Sequence, residues 1–467
     1  MSGNRAGRAA RRGMGLMLAL LGGLPASDRP LPAQQVVTLE DALGSALTRS
    51  PTIEAADATA AAASSARWAD WGAFLPTIRA NVDLSSTDFT NVTYLTPEGS
   101  PDIIDPPLTD VSKGSNASLS FSLPLLNPER IAAVGAGGSR KDAAWLRLTA
   151  AERTVIRDVK RAYFEALKQR RLLEVARRQL EARQVDLDVT RDRYRIAAAS
   201  RSDLLGAEID ASDAELRVLQ AEDGLAAAVR GLQVAMANPV SIEPDLVALV
   251  DVEQVPDADF LDAAALVRAA HASNPTLAAL LKEEDAASSD LWAARANYLP
   301  RIDLGFVLGR NKQLGRDESL FDFEPANTRS SFQIIGSWNL FQGFERKRQT
   351  AEASGRVQRA RAEWTANALQ LDKDVRDLVQ ELKRRDRRLT ILVRNRDLAD
   401  ERLELAREQY RLGSIPYFNL QQAIDRTTQA EQSLFTERYD YLIRWAELEE
   451  RVGPALAEAA LASAGTP

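Results

Sequence analysis

Apolar and polar residues alternate with period two in four stretches of the chain. Ile78, Ala80, Val82 and Leu84 interleave with Arg79, Asn81, Asp83 and Ser85, and Ala117, Leu119, Phe121 and Leu123 with Ser118, Ser120 and Ser122. Farther on, Ile302, Leu304, Phe306 and Leu308 share one face, although Val307 blurs the other, and Phe332, Ile334, Trp338 and Leu340 alternate with Gln333, Ser337 and Asn339. Period two is the strand signal. One face is apolar and the other small or polar, which suits a lipid-facing exterior around a wet lumen. A soluble sheet with one face on a core has the same pattern. Trp71, Phe74, Tyr298, Trp338 and Phe341 fall near strand ends, as an interfacial girdle would; core packing explains any one of them equally well. Asn91 to Ser115, with Pro97, Pro101, Pro106 and Pro107, and the shorter, charged Arg310 to Thr328 are expected to be exposed loops. Four strands cannot close a barrel alone, so their edges require an oligomer.

A second pattern predicts long helices. Glu129 to about Ile196 contains no proline, nor does Glu345 to Leu412. As one helix each would run about 100 Å at about 1.5 Å per residue. Seven-residue stripes mark both: Val175, Ala182, Val189 and Ile196 beside Leu173, Leu180, Leu187 and Tyr194, then Ile391, Leu398, Leu405 and Leu412 beside Leu389, Arg396, Leu403 and Tyr410. Stripes two residues apart lie about 200° apart around a helix. Each long helix therefore has a neighbour on both sides, as in a wall of helices; a bundle helix with two partners is the plainer alternative. Ala197–Ser200 and Gly413–Pro416 interrupt the helices. Further helices over about Ser202–Ala237 and Tyr417–Arg451 complete two hairpins whose turns lie far from the strands.

These elements occur twice. Pro51 and Pro275, Trp68 and Trp292, and Pro76 and Pro300 share an offset of 224. Tyr194-Arg195-Ile196 matches Tyr410-Arg411-Leu412, and Leu204-x-x-Ala207 matches Leu420-x-x-Ala423, at 216. The loss of about eight residues falls between Pro300 and Leu340, where the second copy must have a shorter loop. The order is that of a duplicated helix–strand–strand–helix unit. It divides the chain into a signal peptide (1–33), a first repeat (34–237), a linker (238–256), a second repeat (257–453) and a disordered tail (454–467).

Composition narrows the chemistry. There is no cysteine, which removes disulfides, thiolate sites and a lipid-modified N-terminal cysteine. A single histidine, His271, rules out a multi-histidine metal site within one chain and leaves little room for imidazole catalysis. We expect it to be a surface residue. No enzyme activity, cofactor or metal is expected. Arg5, Arg8, Arg11 and Arg12 before an apolar run at Met14–Leu24 read as a signal peptide. Removing residues 1–33 takes away five Arg and one Asp, so the net charge falls from −7 to −11. Such a chain is a poor nucleic-acid binder. No other apolar run approaches the length of a membrane-spanning helix, so a membrane form must be a β-barrel.

With the duplication established, the chain resembles the TolC-type outer-membrane efflux protein family over about residues 37–453. The resemblance rests on Tyr410-Arg411-Leu412-Gly413 followed by Leu420-x-x-Ala423, on Trp338-Asn339-Leu340-Phe341-Gln342-Gly343 after a strand, and on the Ala-Leu…Asn-Pro-Thr opening at 265–276. It implies a mainly α fold with a β-barrel contribution: a homotrimer with a twelve-stranded barrel in the outer membrane and a twelve-helix α-barrel through the periplasm. It also implies a passive exit duct for efflux or type I secretion, joined by a periplasmic adaptor (membrane-fusion) protein to an inner-membrane pump.

The resemblance further implies that the helical turns form an aperture closed at rest. Its latch tyrosine falls on Tyr410, beside the Gly413 turn, and its partner carboxylate on Asp203. The latch arginine position holds Ile415, and the acidic ring positions hold Asn419 and Gln422, so this aperture lacks the acidic constriction. Asp203 also suits a helix N-terminal cap, and Tyr410 a packing aromatic. A periplasmic adaptor or coiled-coil scaffold is the rival reading, which the paired apolar strands oppose.

Overall fold

A computed structural model describes residues 37–99, 101–238, 255–314 and 327–453, with Ser319 and Leu456. The expected signal peptide, nearly all of the linker and most of the Arg310–Thr328 loop lie outside these residues. So does the expected disordered tail apart from Leu456, which is helical and buried against the second-copy core.

The elements run α1 (Leu39–Arg49), α2 (Pro51–Gly72), β1 (Thr77–Leu95), β2 (Pro101–Leu126), α3 (Pro128–Arg195) and α4 (Arg201–Ala235). The series then repeats as α5 (Ala263–Ser273), α6 (Pro275–Ala296), β3 (Arg301–Leu314), β4 (Thr328–Ser337), α7 (Glu345–Arg411) and α8 (Tyr417–Val452). The same punctuation starts both copies. Ser50 and Asn274 are extended residues before a proline, which disfavours helix at the preceding residue but fits the first helical position. The two helix–helix breaks follow from that.

Helices α3 and α7 are unbroken over 68 and 67 residues, as the absence of proline predicts. Each folds back into a hairpin, α3 on α4 and α7 on α8, while α6 lies against both α3 and α7 and α8 also meets α3. Two cores reflect the duplication. Ala42, Ala46, Val159, Tyr163 and Leu232 pack among α1, α3 and α4. Leu266, Ala270, Val375, Val379 and Leu448 pack among α5, α7 and α8.

On α7 only one of the two expected seams is filled within the chain. Leu173, Leu389, Leu403 and Tyr410 are buried, whereas Ile391, Leu398, Leu405 and Leu412 are 54–70% exposed. A further apolar stripe, Leu205, Ile209, Leu216 and Leu219 on α4, is also exposed.

The strands form one antiparallel sheet in the order β1-β2-β3-β4. Its register aligns the expected apolar positions across strands: Ile78, Phe121, Phe306 and Phe332 make one row, and Leu123, Leu304 and Ile334 another. Thr77, Ser122, Gly305 and Gln333 form a row on the opposite face. Most of the apolar face is open; Ile78, Val82, Phe332 and Ile334 are all exposed.

Two expectations are corrected. Asn91–Ser115 is not a loop: β1 and β2 continue through it to a tight turn at Thr96–Gly99. Its prolines sit where a missing N–H does least harm. Pro101 is the first residue of β2, and Pro106 and Pro107 fall in a bulge, since Asn91 pairs with Leu108 but Thr93 with Ile103. Likewise the alternation reaching Trp338 and Leu340 outruns β4, which ends at Ser337. Among the described residues, no helix is long and apolar enough to cross a membrane.

Candidate gating site at the helical turns

The α3–α4 and α7–α8 turns have the same backbone. Ala197 N–H donates to Tyr194 and Ala198 N–H to the Arg193 carbonyl; Gly413 N–H donates to Tyr410 and Ser414 N–H to the Gln409 carbonyl. At equivalent positions Ala197 has φ +56° and Gly413 +74°. Glycine suits this left-handed geometry, while alanine carries a cost of about 1–2 kcal/mol.

Beyond the turns the chemistry diverges. Ser200 and Asp203 form a reciprocal capping box at the start of α4: Asp203 N–H donates to Ser200 Oγ at 3.1 Å, and Ser200 N–H and Oγ donate to Asp203 at 3.0 and 2.8 Å. At α8 the corresponding residues are Pro416 and Asn419, and no side chain caps the helix.

The structure does not join Asp203 to Tyr410. Asp203 is committed to Ser200. Tyr410 is buried, with its hydroxyl 3.2 Å from Thr190 Oγ1 and its carbonyl accepting from Arg193 Nη1 at 2.7 Å. The Arg193 guanidinium lies 4.6 Å above the Tyr410 ring, whose centroid is 5.9 Å from that of Tyr417. Asn419 and Gln422 are exposed, with Gln422 accepting weakly from Arg402 at 3.4 Å. Ile415 packs against the apolar cluster of Leu403, Tyr410, Tyr417 and Leu420.

Near the turns the copies are bridged by Asp210, more than two turns into α4. It accepts from Tyr417 Oη at 3.1 Å and from Gln421 Nε2 at 2.9 Å. Arg183, 3% exposed, reaches Asp210 at 3.5 Å and Asp425 at 2.5 Å. Burial pushes the Tyr417 phenol up, and the Asp210 charge adds to the effect. Sequence reasoning missed Asp210, although its spacing from the buried Ala207 and Ala214 places it on the inward face of α4.

Asp186 lies alongside. Burial pushes its carboxyl up against the opposing pull of Arg407 and Arg183, and Asp210 pushes the same way as burial. Its Oδ2 is buried with no hydrogen-bond partner. The cluster is thus a charged ligament across three helices with a buried carboxylate beside it. Among the described residues there is no cluster of His, Asp or Glu that could hold a metal ion. His271 is partly exposed and lies 2.5 Å from Asp372 on α7.

Two repeats joined by a ligament at their turns, with strands gathered in one sheet, agree with what similarity shows. The outer membrane efflux protein family matches residues 42–238 and 266–454, one segment per repeat. The chain belongs to that family. It therefore acts at the outer membrane as an export channel component, with its helices extending into the periplasm.

The alkaline protease secretion protein AprF of Pseudomonas aeruginosa is 24% identical over 72% of this chain and 69% of its own. Protein CyaE of Bordetella pertussis is 27% identical over about half of each chain (50% and 48%). Among solved structures, the outer membrane protein VceC of Vibrio cholerae superposes with a TM-score of 0.71 at 18% identity, covering 89% of this chain and 96% of its own. The MtrE channel of Neisseria gonorrhoeae gives 0.72 at 20% identity, covering 89% and 88%. These likenesses are of fold.

Proposed function

We propose that three copies of this chain form a passive duct, with a twelve-stranded barrel in the outer membrane continued by a helical tube in the periplasm. The observation that supports this most is the sheet. Its apolar face is uncovered, and β1 and β4 sit at its two ends with outer edges unpaired among the described residues. Lipid covers such a face, and closure with neighbouring copies removes such edges. Exposed stripes on α7 and α4 give the helices partners of the same kind.

The duct has no energy source of its own. A periplasmic adaptor engages the helical turns and an inner-membrane pump drives transport. The name of the AprF relative supports secretion of a polypeptide as one duty of such a duct.

At the turns, the Asp210–Tyr417–Arg183–Asp425 ligament holds the α7–α8 hairpin against α3 and α4, with Tyr410 packed beneath it and Gly413 setting the bend. This is the closed aperture. Asn419 and Gln422 give it a neutral lining, and Asp203 secures the start of α4. Opening requires α8 to leave Asp210.

A native mass of three chains in detergent extracts of outer-membrane fractions tests the assembly. A monomer in the soluble periplasmic fraction would favour the adaptor reading instead.

A further inference from the structure

The polar face of the sheet carries little charge at mid-height. Three successive rows there read Thr77, Ser122, Gly305 and Gln333, then Arg79, Ser120, Val307 and Ser331, then Asn81, Ser118, Gly309 and Arg329. Arg79 and Arg329 are the charged residues of these rows; the others are neutral and mostly small. On the opposite face, at the same height, lie the apolar rows of Ile78, Phe121, Phe306 and Phe332 and of Ala80, Leu119 and Leu308.

Both arginines are exposed, and neither guanidinium has a hydrogen-bond or ion-pair partner among the described residues. The acids of the same face stand outside these rows. Asp83 lies in the row beyond Arg329, and Asp303, close to Arg301 at the start of β3, lies in the row before Thr77. Neither acid bonds to Arg79 or Arg329 within the chain.

Arg79 is on β1 and Arg329 on β4, the two strands at the ends of the sheet. Closing the barrel seats β4 of one copy against β1 of the next, so each seam between copies brings two unpaired guanidiniums onto adjacent strands. Like charges on adjacent strands destabilise a sheet, and arginine does not shed its charge. An anion in the lumen offsets this repulsion, and a guanidinium takes a carboxylate in a bidentate pair.

We propose that Arg79 and Arg329, two from each copy, form an anion-selecting belt around the barrel lumen, through which carboxylate-rich stretches of an exported polypeptide pass by transient pairing. The proposal rests on the barrel and polypeptide-export readings above. Charge complementarity selects the carboxylate. The low-dielectric wall around the belt strengthens its field. Between the arginines stand mostly serine and glycine, with no other charge to grip the passing chain, so the pairing is brief. Asn419 and Gln422 at the helical turns set no opposing preference of charge.

Single channels of the full protein in planar bilayers test this, with oligoglutamate and oligolysine peptides as probes. Wild type should show brief current blocks with oligoglutamate and none with oligolysine. Arg79→Gln combined with Arg329→Gln should abolish those blocks and lower the chloride-to-potassium permeability ratio, read under a KCl gradient, about threefold, the effect of about one kT of local potential. Arg79→Lys combined with Arg329→Lys should keep the ratio but shorten the blocks, since an ammonium lacks the bidentate fork. An unchanged ratio in the glutamine pair would overturn the proposal. So would the absence of oligoglutamate block in wild type, a result that depends on no variant and would leave a passage for small anions only. Discrete conductance steps separate the two readings. With steps from wild type the barrel stands and the belt alone is judged; without them the barrel reading fails and the belt with it.

Discussion

Tyr417, the first residue of α8, donates its hydroxyl to Asp210 on α4, 207 positions earlier in the chain, at 3.1 Å. That bond joins the second repeat to the first at the end of the molecule farthest from the strands. Arg183 and Gln421 converge on the same carboxylate. Hydrogen bonds to a charged group are each worth about 1.5–3 kcal/mol. A double-mutant cycle of Tyr417→Phe and Asp210→Asn should therefore show coupling of that order in chemical unfolding. Asp203→Asn, which touches only the capping box, should lose about 1 kcal/mol and show no coupling to Tyr417→Phe.

Asp186 sets a pH dependence of the opposite sign to a salt-bridged carboxylate. Its folded pKa is raised, chiefly by burial. The folded state then holds a proton that the unfolded state releases. Stability falls as pH rises from the usual carboxylate range, about 3.9, through the raised value, and returns on acidification. Asp186→Asn should raise the unfolding midpoint at pH 7 and abolish this part of the acid-side gain, as measured by thermal unfolding across pH 4–7.5.

The paired turns test backbone cost without side-chain chemistry. Gly413→Ala places a Cβ on a residue at φ +74° and should destabilise by about 1–2 kcal/mol. Ala197→Gly removes the same conflict in the first copy, partly offset by greater unfolded-state freedom of about 0.4–1 kcal/mol. It should be neutral to mildly stabilising.

The sheet faces differ in tolerance. Phe306 lies in an apolar row across all four strands, and Val307 faces the other side. Phe306→Lys should cost about 2–4 kcal/mol near the bilayer midplane and depress membrane assembly. Val307→Lys should assemble at the wild-type level, as judged by heat-modifiable protein in outer-membrane fractions.

Much of this was legible because its causes are local. Period-two alternation marked both faces of the strands, and the lack of proline marked α3 and α7. Where two local signals conflicted, the reading failed. Prolines at 101, 106 and 107 suggested a loop, but strand pairing tolerates them at a strand start and in a bulge. Trp338 and Leu340 kept the alternation of β4, yet the edge strand had already ended. Asp203, the position on which the resemblance places the latch carboxylate, bonds within this chain to its own cap residue, Ser200. The bridging residue, Asp210, is set by a contact between repeats more than 200 positions apart in sequence, which no local pattern encodes.

Single-channel recording in planar bilayers tests the central claim most directly. Purified wild-type protein should insert as discrete units of low conductance, and Asp210→Asn combined with Tyr417→Phe should raise the unit conductance while leaving insertion frequency unchanged. Insertion without any rise in the double variant would contradict the gate, and the absence of discrete steps from either protein would contradict the duct itself.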